Sequence, residues 1–430
     1  MRGLKPRRVL AASAGLALVL GVAACGGGGG DSGEGPQRLD LVIGDSIPLT
    51  GALSDFGPPA RKASNLAIAR INEAIGATGV DHAVEVVHED NRTNPRAAVQ
   101  AARKLVDGDG ASCLTGAWAS ADTIETAKSV SIPDGVLQIS PASTSDEITS
   151  LEDEGLVDRI TPPNSVQGPS LANAIAADLG GAPGRTASIG ARDDEYGTGL
   201  AESFKDAWEE AGGTVEEAVV YEPDQPTYTS AARQITAGDP DAFVILDYPE
   251  TFARLGPALQ STGDWDPGKA WGTDGLASRL LPGEVGRDVV GGMRGIVPGA
   301  PDGDEAAKAF DALYTGAEPA AVGRQTFDAQ QFDATILCYL AAVRAGSTDG
   351  QEMADALIDL TAPGGEQLTW RQLPDLIRAL QNGEDVDYVG ASGQIDMDEN
   401  GDATAGVYDV YEFRGGGMET IGETPITTGE

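Results

Sequence analysis

The sequence alternates between strand-like and helical segments along most of its length. Short apolar runs such as LDLVIG (39–44), TASIGA (186–191) and AFVILD (242–247) are separated by longer segments with apolar residues at helical spacing, for example 58–75. Strands that alternate with helices form βαβ units. The pattern therefore predicts an α/β fold of parallel sheets covered by helices on both faces.

Two interruptions divide this pattern. A Pro-Pro pair in RITPPNSVQG (159–168) separates two similar series of units, and GIVPGAPDGD (295–304) precedes a group of predicted helices. Near the end, QIDMDENGD (394–402) and GVYDVYEF (406–413) are expected to form a β-hairpin. We predict two α/β lobes with the later helices returning to the first. The expected boundaries are 38–160 and 299–389 for lobe 1, and 161–298 and 390–430 for lobe 2.

The first 24 residues have the layout of an export signal. Four positive charges precede an uncharged apolar run that is shorter than a transmembrane helix of about 20 residues. VAAC (22–25) resembles the lipobox of bacterial lipoproteins, in which the cysteine is lipidated; the alternative is a secreted protein whose leader contains a cysteine by chance. We predict a lipoprotein signal peptide at 1–24, a lipid on Cys25 and a flexible tether at 25–37 that holds the body at the outer face of the cell membrane.

Charge and cysteine content limit the possible partners. A formal net charge of −38 argues against nucleic-acid binding, because phosphate contacts need Lys and Arg. Besides Cys25 the chain contains only Cys113 and Cys338. They could form a disulfide in an oxidising compartment or remain two buried thiols, and their spacing alone does not decide between these.

Common catalytic and metal-binding motifs are missing from the sequence. His82 and His88 are the only histidines, and both lie beside or within predicted strands, where we expect structural roles. No G-x-S-x-G elbow, P-loop or G-x-G-x-x-G turn follows a strand. DMDENGD (396–402) begins like a calcium loop, but Val407 stands where the bidentate Glu belongs. We therefore predict no metal, no cofactor and no enzymatic activity.

Polar residues gather after two predicted strands. SCLTGA runs into WASADTIE (118–125), and GVLQIS runs into PASTSDEIT (141–149). Ligands of open α/β sheets lie beyond the carboxyl ends of the strands, and hydroxyls with free N–H groups at a helix start suit a carboxylate. The alternative is helix capping, by Asp122 with Glu125 and by Thr144 with Glu147. The local sequence supports both interpretations equally.

Several segments then occur in the order seen in a known family. IGDSIPLTGALSDFG (43–57), TGAWASADT, ISPASTSDEIT, DDEYGTGLAESF, ILDYPET and WGTDGLAS resemble type I periplasmic solute-binding proteins, specifically the branched-chain amino-acid-binding family of ABC importers. The resemblance covers residues from about 38 to 415. It implies two Rossmann-like lobes with parallel sheets, joined by three crossing segments and closing on a ligand.

The resemblance also implies a ligand site. Ser120 and Thr144, with backbone groups near Ala142 and Ser143, match positions that hold the ligand carboxylate, and Asp274 matches an acid that faces the ammonium. The remaining implied positions are the aromatic residues Tyr196 and Tyr248 on lobe 2, and Phe56, Trp118 and Phe327 around the ligand side chain.

Some residues depart from the family pattern. Phe56 stands where a tyrosine is common, and Trp118 is bulky enough to shorten the pocket. Asp122 follows Ser120 closely, and Asp247 replaces a usual glycine. If both acids faced the cleft, a ligand with an extra amine or amide would fit; if Asp122 caps its helix, an aliphatic amino acid would. We favour capping. The insertion at 361–393 is expected on the surface of lobe 1.

These observations together predict an extracytoplasmic, monomeric binding lipoprotein. It would capture an amino acid, branched-chain or related, between two closing lobes and deliver it to the permease subunits of an ABC importer. The alternative is a sensor of the same fold that binds an amide or urea-type ligand and signals to a partner. A surface enzyme is the third hypothesis, and the shortage of histidines and nucleophiles makes it the weakest.

Overall fold

The computed structural model describes residues 38–426, so the predicted signal peptide, Cys25 and the tether lie outside the described residues. Two lobes, each built on a largely or wholly parallel sheet covered by helices, confirm the predicted fold class. The strands are β1 Leu39–Ile47, β2 His82–Asp90, β3 Cys113–Thr115, β4 Leu137–Ser140, β5 Val157–Arg159, β6 Thr186–Arg192, β7 Thr214–Tyr221, β8 Ala242–Leu246, β9 Ala270–Gly272, β10 Arg294–Gly299, β11 Glu366–Thr369, β12 Val386–Gly390, β13 Gly393–Gln394, β14 Val407–Arg414 and β15 Gly417–Pro425.

Helices connect most of these strands. They are α1 Gly57–Thr78, α2 Pro95–Arg103, α3 Ser120–Thr126, α4 Ile132–Asp134, α5 Asp146–Thr149, α6 Asn164–Leu179, α7 Gly197–Glu210, α8 Thr229–Ile235, α9 Pro249–Gln260, α10 Leu281–Val285, α11 Arg287–Val290, α12 Glu305–Gly316, α13 Asp328–Ala345, α14 Gly350–Thr361 and α15 Leu373–Gln381. Within residues 38–426, no helix combines the length and the apolar character needed to cross a membrane.

The first lobe contains a five-stranded sheet in the order β2-β1-β3-β4-β5, and every pair is parallel. Helix α13 packs against it and is buried along nearly its whole length, from Asp328 to Val343. Apolar side chains of the sheet and of α13–α15 form one continuous core. The later helices therefore return to the first lobe, as the sequence predicts.

The second lobe contains a seven-stranded sheet in the order β15-β14-β10-β9-β8-β6-β7. Its strands are parallel from β10 to β7, and β14 and β15 add an antiparallel edge. Strand β10 includes the first five residues of GIVPGAPDGD, which the sequence predicts as an interruption. The glycines and the proline of this segment are typical of a loop, yet the segment forms a strand that pairs with β9 and β14.

The predicted hairpin between QIDMDENGD and GVYDVYEF is wrong. Strand β14 instead pairs with β15, across a turn in which Gly415 and Gly416 have positive φ angles of 61° and 92°. QIDMDENGD forms its own turn, in which Asp398 accepts the N–H groups of Asn400 and Asp402. The acidic loop therefore satisfies part of its own backbone.

The insertion at 361–393 forms a small third sheet, β11-β12-β13, together with α15. Trp370 and Tyr388 bury their rings in the core of the first lobe, and the indole of Trp370 donates to the carbonyl of Ala306. Strand β13 still pairs with β12, although Gly393 and Gln394 lie beyond the predicted boundary at 390. The insertion thus belongs to the first lobe and extends its core.

Cys113 and Cys338 form a disulfide. Cys113 lies on β3 and Cys338 on α13, their Cα atoms are 6.0 Å apart, and both side chains are fully buried. The bond joins residues 225 positions apart. Of the two alternatives that the sequence leaves open, the structure contains the paired one, which attaches α13 to the central sheet.

The chain passes between the lobes after β5, after β10 and after β13. A buried ion pair joins the first and third of these crossings: the Nε atom of Arg159 lies 2.7 Å from Oδ1 of Asp402. The guanidinium also donates to the carbonyl of Ser145 and to the hydroxyl of Thr149. The two crossings are therefore held together by a fully hydrogen-bonded arginine.

Candidate functional site

A small cavity lies where the carboxyl ends of both main sheets meet. Loops after β1, β3 and β4 contribute from the first lobe, and loops after β6, β8 and β9 contribute from the second. Parallel strands place their carboxyl ends along one edge, which explains why residues far apart in sequence converge. The lining residues are Leu53, Phe56, Trp118, Ser120, Ala142, Tyr196, Tyr248, Asp274, Gly275 and Phe327.

This list contains every ligand-binding residue expected from the sequence except Ser143 and Thr144. The hydroxyl of Ser143 donates to the carbonyl of Trp118 at 3.0 Å, so it joins two loops behind the cavity. The backbone N–H of Thr144 donates to the hydroxyl of Ser120 at 3.3 Å. Both residues position the wall of the cavity, while Ser120 and Ala142 form its surface.

Ser120 begins α3 directly after the turn that follows β3. Its Oγ atom accepts the N–H groups of Thr144 and Ser145, at 3.3 and 3.2 Å. A hydroxyl that accepts twice still has its own hydrogen to donate. No side chain caps the first turn of α3. This corner of the cavity therefore offers hydrogen-bond donors, which suits a carboxylate.

Asp274 supplies the opposite charge. It follows β9, begins a 3-10 turn that ends at Leu276, and is only 3% exposed. Its Oδ1 atom accepts from Nε2 of Gln167 at 2.6 Å and from the hydroxyl of Tyr196 at 3.2 Å. Burial raises the pKa of Asp274 to about 6, although these two hydrogen bonds favour the charged form. The carboxylate is thus placed to gain from a cation in the cavity.

Two residues that shape this side of the cavity are not expected from the sequence. Gln167 holds Asp274 from α6, and no motif around it indicates a site residue. Gly275 follows Asp274, and a Cβ atom there would lie 2.8 Å from the hydroxyl of Tyr196. Only glycine therefore allows Tyr196 to approach Asp274 so closely.

Tyr248 carries the second aromatic ring of this side. Its ring stacks on Tyr196, with centroids 5.1 Å apart, and the guanidinium of Arg192 lies 3.7 Å from its centre. Asp247 lies outside the cavity, where it accepts a hydrogen bond from the hydroxyl of Tyr221 at 2.9 Å. Burial raises the pKa of Asp247 to about 7, and Arg192 acts against the rise. Asp247 is therefore a supporting residue and does not line the cavity.

The capping role predicted for Asp122 is wrong. Helix α3 has Ala119 at its N-cap and no side-chain cap, and Asp122 lies inside the first turn. One of its carboxylate oxygens is buried and has no hydrogen-bond partner among residues 38–426. Burial raises the pKa of Asp122 well above its usual range, and Asp194 on the second lobe adds to the rise. Asp122 does not line the cavity either, so Asp274 is the one acid among its described lining residues.

Capping by Thr144 is also wrong. Helix α5 begins one residue later, and Ser145 is its N-cap, with Oγ accepting the N–H of Glu147 at 3.2 Å. Both histidines have structural partners, as expected: His82 contacts the hydroxyl of Tyr339 and His88 contacts Asp45. Among the described residues, no group of histidine, cysteine and acidic side chains could hold a metal ion.

Comparisons with known proteins identify similar sequences. A family model described as periplasmic binding protein matches residues 41–410. The leucine-, isoleucine-, valine-, threonine-, and alanine-binding protein of Pseudomonas aeruginosa is 28% identical over 327 residues, which cover 72% of this chain and 80% of that protein.

Solved structures share the fold. A leucine-binding protein from Thermotoga maritima has a TM-score of 0.72 and 23% identity, covering 90% of this chain and 99% of the other. An ABC-transporter solute-binding protein from R. palustris, solved in complex with benzoate, has a TM-score of 0.70 and 18% identity, covering 91% and 98%.

Proposed function

The chain belongs to the periplasmic binding protein family, and on this premise we propose that it captures a free amino acid, branched-chain or related, outside the cytoplasm. It would hold the amino acid without turning it over and present it to the permease subunits of an ABC importer. Its relatives support this: the Pseudomonas aeruginosa protein binds leucine, isoleucine, valine, threonine and alanine, and the Thermotoga maritima protein binds leucine.

Asp274 is the observation that carries the proposal. A buried carboxylate costs free energy unless a cation or several donors accompany it, and this one lies among aromatic side chains. An amino acid brings an ammonium that would offset this cost. Benzoate, the ligand of the R. palustris relative, brings a second negative charge instead. The cavity of this chain is therefore better suited to a zwitterion than to an aromatic acid.

Closure follows from the placement of the two charges. The hydroxyl of Ser120 belongs to the first lobe and the carboxylate of Asp274 to the second. A zwitterion that contacts both residues makes its full set of hydrogen bonds only when the lobes are together. Its binding free energy therefore favours the closed arrangement, which is the form a permease would recognise. We also propose that the protein acts as a monomer.

Calorimetry with matched ligands tests the function. The full chain is titrated with the standard amino acids, and L-valine is compared with 3-methylbutanoate, isobutylamine and benzoate. We expect at least one amino acid to bind with a micromolar or lower Kd, and analogues that lack one charge to bind roughly 100-fold more weakly. Benzoate or 3-methylbutanoate binding as tightly as any amino acid would refute the proposal.

Binding should also depend on pH. Burial raises the pKa of Asp274 in the folded protein to about 6. In the free protein, ionisation of Asp274 therefore lowers the free energy of unfolding as the pH rises through 6. A bound ammonium offsets this loss. Affinity should be constant above about pH 7 and fall by up to about tenfold per pH unit below 6, as the carboxyl takes up a proton. Calorimetry between pH 5 and 8 measures this. Ser120→Ala should bind more weakly with the same pH profile, whereas an affinity independent of pH would contradict the role of Asp274.

We further propose that a lipid on Cys25 anchors the protein to the outer face of the cell membrane. The proposal is supported by the lipobox-like VAAC (22–25) and by the glycine-rich segment after it. Cys25→Ser should move the protein from the membrane fraction to the soluble fraction, because one thiol carries the attachment. Fractionation of cells that express each form provides the measurement, and an unchanged distribution would refute the anchor.

A further inference from the structure

Three aromatic rings form one continuous wall of the cavity. Phe56 and Trp118 stack with ring centroids 6.2 Å apart, and Phe327 meets Trp118 edge-on at 6.0 Å. All three residues are at most 6% exposed. Because the charged groups of a zwitterion would be held at Ser120 and Asp274, its side chain must point towards apolar surface, and this wall provides most of it.

Trp118 is not free to swing away from the cavity. Its Nε1 atom donates to Oε1 of Gln331 at 3.2 Å, and Nε2 of Gln331 donates to Oδ1 of Asp45 at 3.0 Å. The indole only donates and the carboxylate only accepts, so the amide of Gln331 has a single orientation that satisfies both. A different rotamer of Trp118 would leave the buried oxygen of Gln331 without a donor.

Asp45 is in turn fixed inside the first lobe. It is fully buried at the end of β1, and its two oxygens accept from the hydroxyls of Thr115 and Ser64, at 3.0 and 2.9 Å. Nδ1 of His88 lies 2.7 Å from the same carboxylate. The hydrogen bonds that hold Trp118 therefore extend through two buried residues, Gln331 and Asp45, and reach a histidine near the surface.

Helix α13, which carries Gln331, also fixes the ring of Phe327. Phe327 is the N-cap of α13 and has a φ angle of 67°, a conformation that non-glycine residues rarely adopt. The backbone N–H of Gln331 donates to the carbonyl of Phe327 at 2.9 Å. Backbone strain at a wall of a ligand cavity persists only where the surroundings hold it. Helix α13 thus places both Phe327 and the residue that holds Trp118.

We propose that Trp118, held by Gln331, sets an upper limit on the length of the ligand side chain, so that the ligand is an amino acid with a small aliphatic side chain. Trp118 is the specificity-determining residue, and Gln331 is a positioning residue that does not touch the ligand. This inference rests on the proposed function, since it concerns which amino acid the same cavity accepts. Because the ring of Trp118 is fixed, it cannot move to make room for a longer side chain or an aromatic ring.

The test is a selectivity ratio, the Kd for L-phenylalanine divided by the Kd for L-alanine or L-valine, whichever binds more tightly. For the full-length wild type we expect a ratio above about 10, since one methylene alone is worth roughly 10–200-fold in a closed pocket. Trp118→Ala should lower the ratio by at least about tenfold, mainly by tightening L-phenylalanine. Trp118→Leu is the milder variant should the alanine form fold poorly, and its ratio should fall in the same direction.

Gln331→Met tests the positioning role. Losing the amide frees the indole, so the ratio should fall by about 3-fold or more, whereas a purely structural role would lower the thermal midpoint and leave the ratio unchanged. Gln330→Met, the same substitution one residue earlier on α13, should leave the ratio at the wild-type value, because the amide of Gln330 donates to the carbonyl of Pro298 and it is Gln331 that accepts from Trp118.

The outcomes separate the two claims. If no amino acid binds any variant, the proposed function fails. If amino acids bind but wild type prefers L-phenylalanine, or Trp118→Ala leaves the ratio unchanged, the size limit is overturned while the function stands. If Trp118→Ala lowers the ratio and Gln331→Met does not, the role of Gln331 is overturned.

Discussion

Asp274→Asn should weaken amino-acid binding by at least about 100-fold, because the ligand ammonium would be buried without a countercharge. Truncating one partner of a buried, hydrogen-bonded charge pair costs about 2–5 kcal/mol, or roughly 30- to several-thousand-fold in Kd. Asparagine keeps the size of the side chain and can still pair with Gln167, whose Nε2 lies 2.6 Å from Asp274. The variant therefore removes the charge and leaves the cavity in place.

Asp333→Asn is the matched control for this prediction. Asp333 is also fully buried, its pKa is also raised to about 6 by burial, and it accepts from Tyr388 and from the backbone of Ala391. It does not line the cavity. Calorimetry should find its Kd within about 3-fold of wild type, even if its unfolding midpoint falls. If wild type and Asp274→Asn bound the amino acid with equal affinity, Asp274 would not pair with the ligand ammonium, and the prediction would be wrong.

Arg159→Met should lower the thermal midpoint by roughly 4–6 °C. The substitution removes the guanidinium, keeps an unbranched apolar side chain and leaves the nearly buried Asp402 without its partner 2.7 Å away. Breaking a buried pair in this way costs about 3–5 kcal/mol. Because the pair joins two of the three crossings between the lobes, the loss should also be visible in the cooperativity of unfolding.

Two further variants control for this effect. Arg378→Met removes an exposed pair with Asp375, at 3.0 Å, and should change stability by at most about 1 kcal/mol. The double variant Arg159→Met/Asp402→Asn should be more stable than Arg159→Met alone, since no unpaired charge remains. Thermal unfolding followed by circular dichroism measures all three. If Arg159→Met unfolded like Arg378→Met, the buried pair would not stabilise the crossings.

Much of the fold could be predicted because the sequence alternates strongly. Runs such as TASIGA and AFVILD read as strands because apolar residues are concentrated there, and they become β6 and β8. Strand β10 was missed because Gly295, Pro298 and Gly299 resemble a loop, and only pairing with β9 and β14 makes the segment a strand. Local composition cannot report such tertiary pairing.

The candidate site was predictable to the extent that it depends on strand ends. Ser120, Ala142 and Asp274 each follow a strand closely, so the parallel topology brings them together, and the family resemblance indicated their roles. Gln167 was missed because it reaches Asp274 from a helix without any motif. The role of Asp122 was mistaken because helix α3 begins at Ser120 with Ala119 as its N-cap, which places Asp122 inside the first turn, and the local capping pattern does not show this.

The crystal structure of the protein with its bound amino acid tests the central claim most directly. We predict that the ligand lies in the cavity between the two sheets, with its ammonium nitrogen about 2.7–3.2 Å from a carboxylate oxygen of Asp274 and its carboxylate against Ser120. A ligand bound elsewhere, or one whose ammonium faces away from Asp274, would contradict this account of the site.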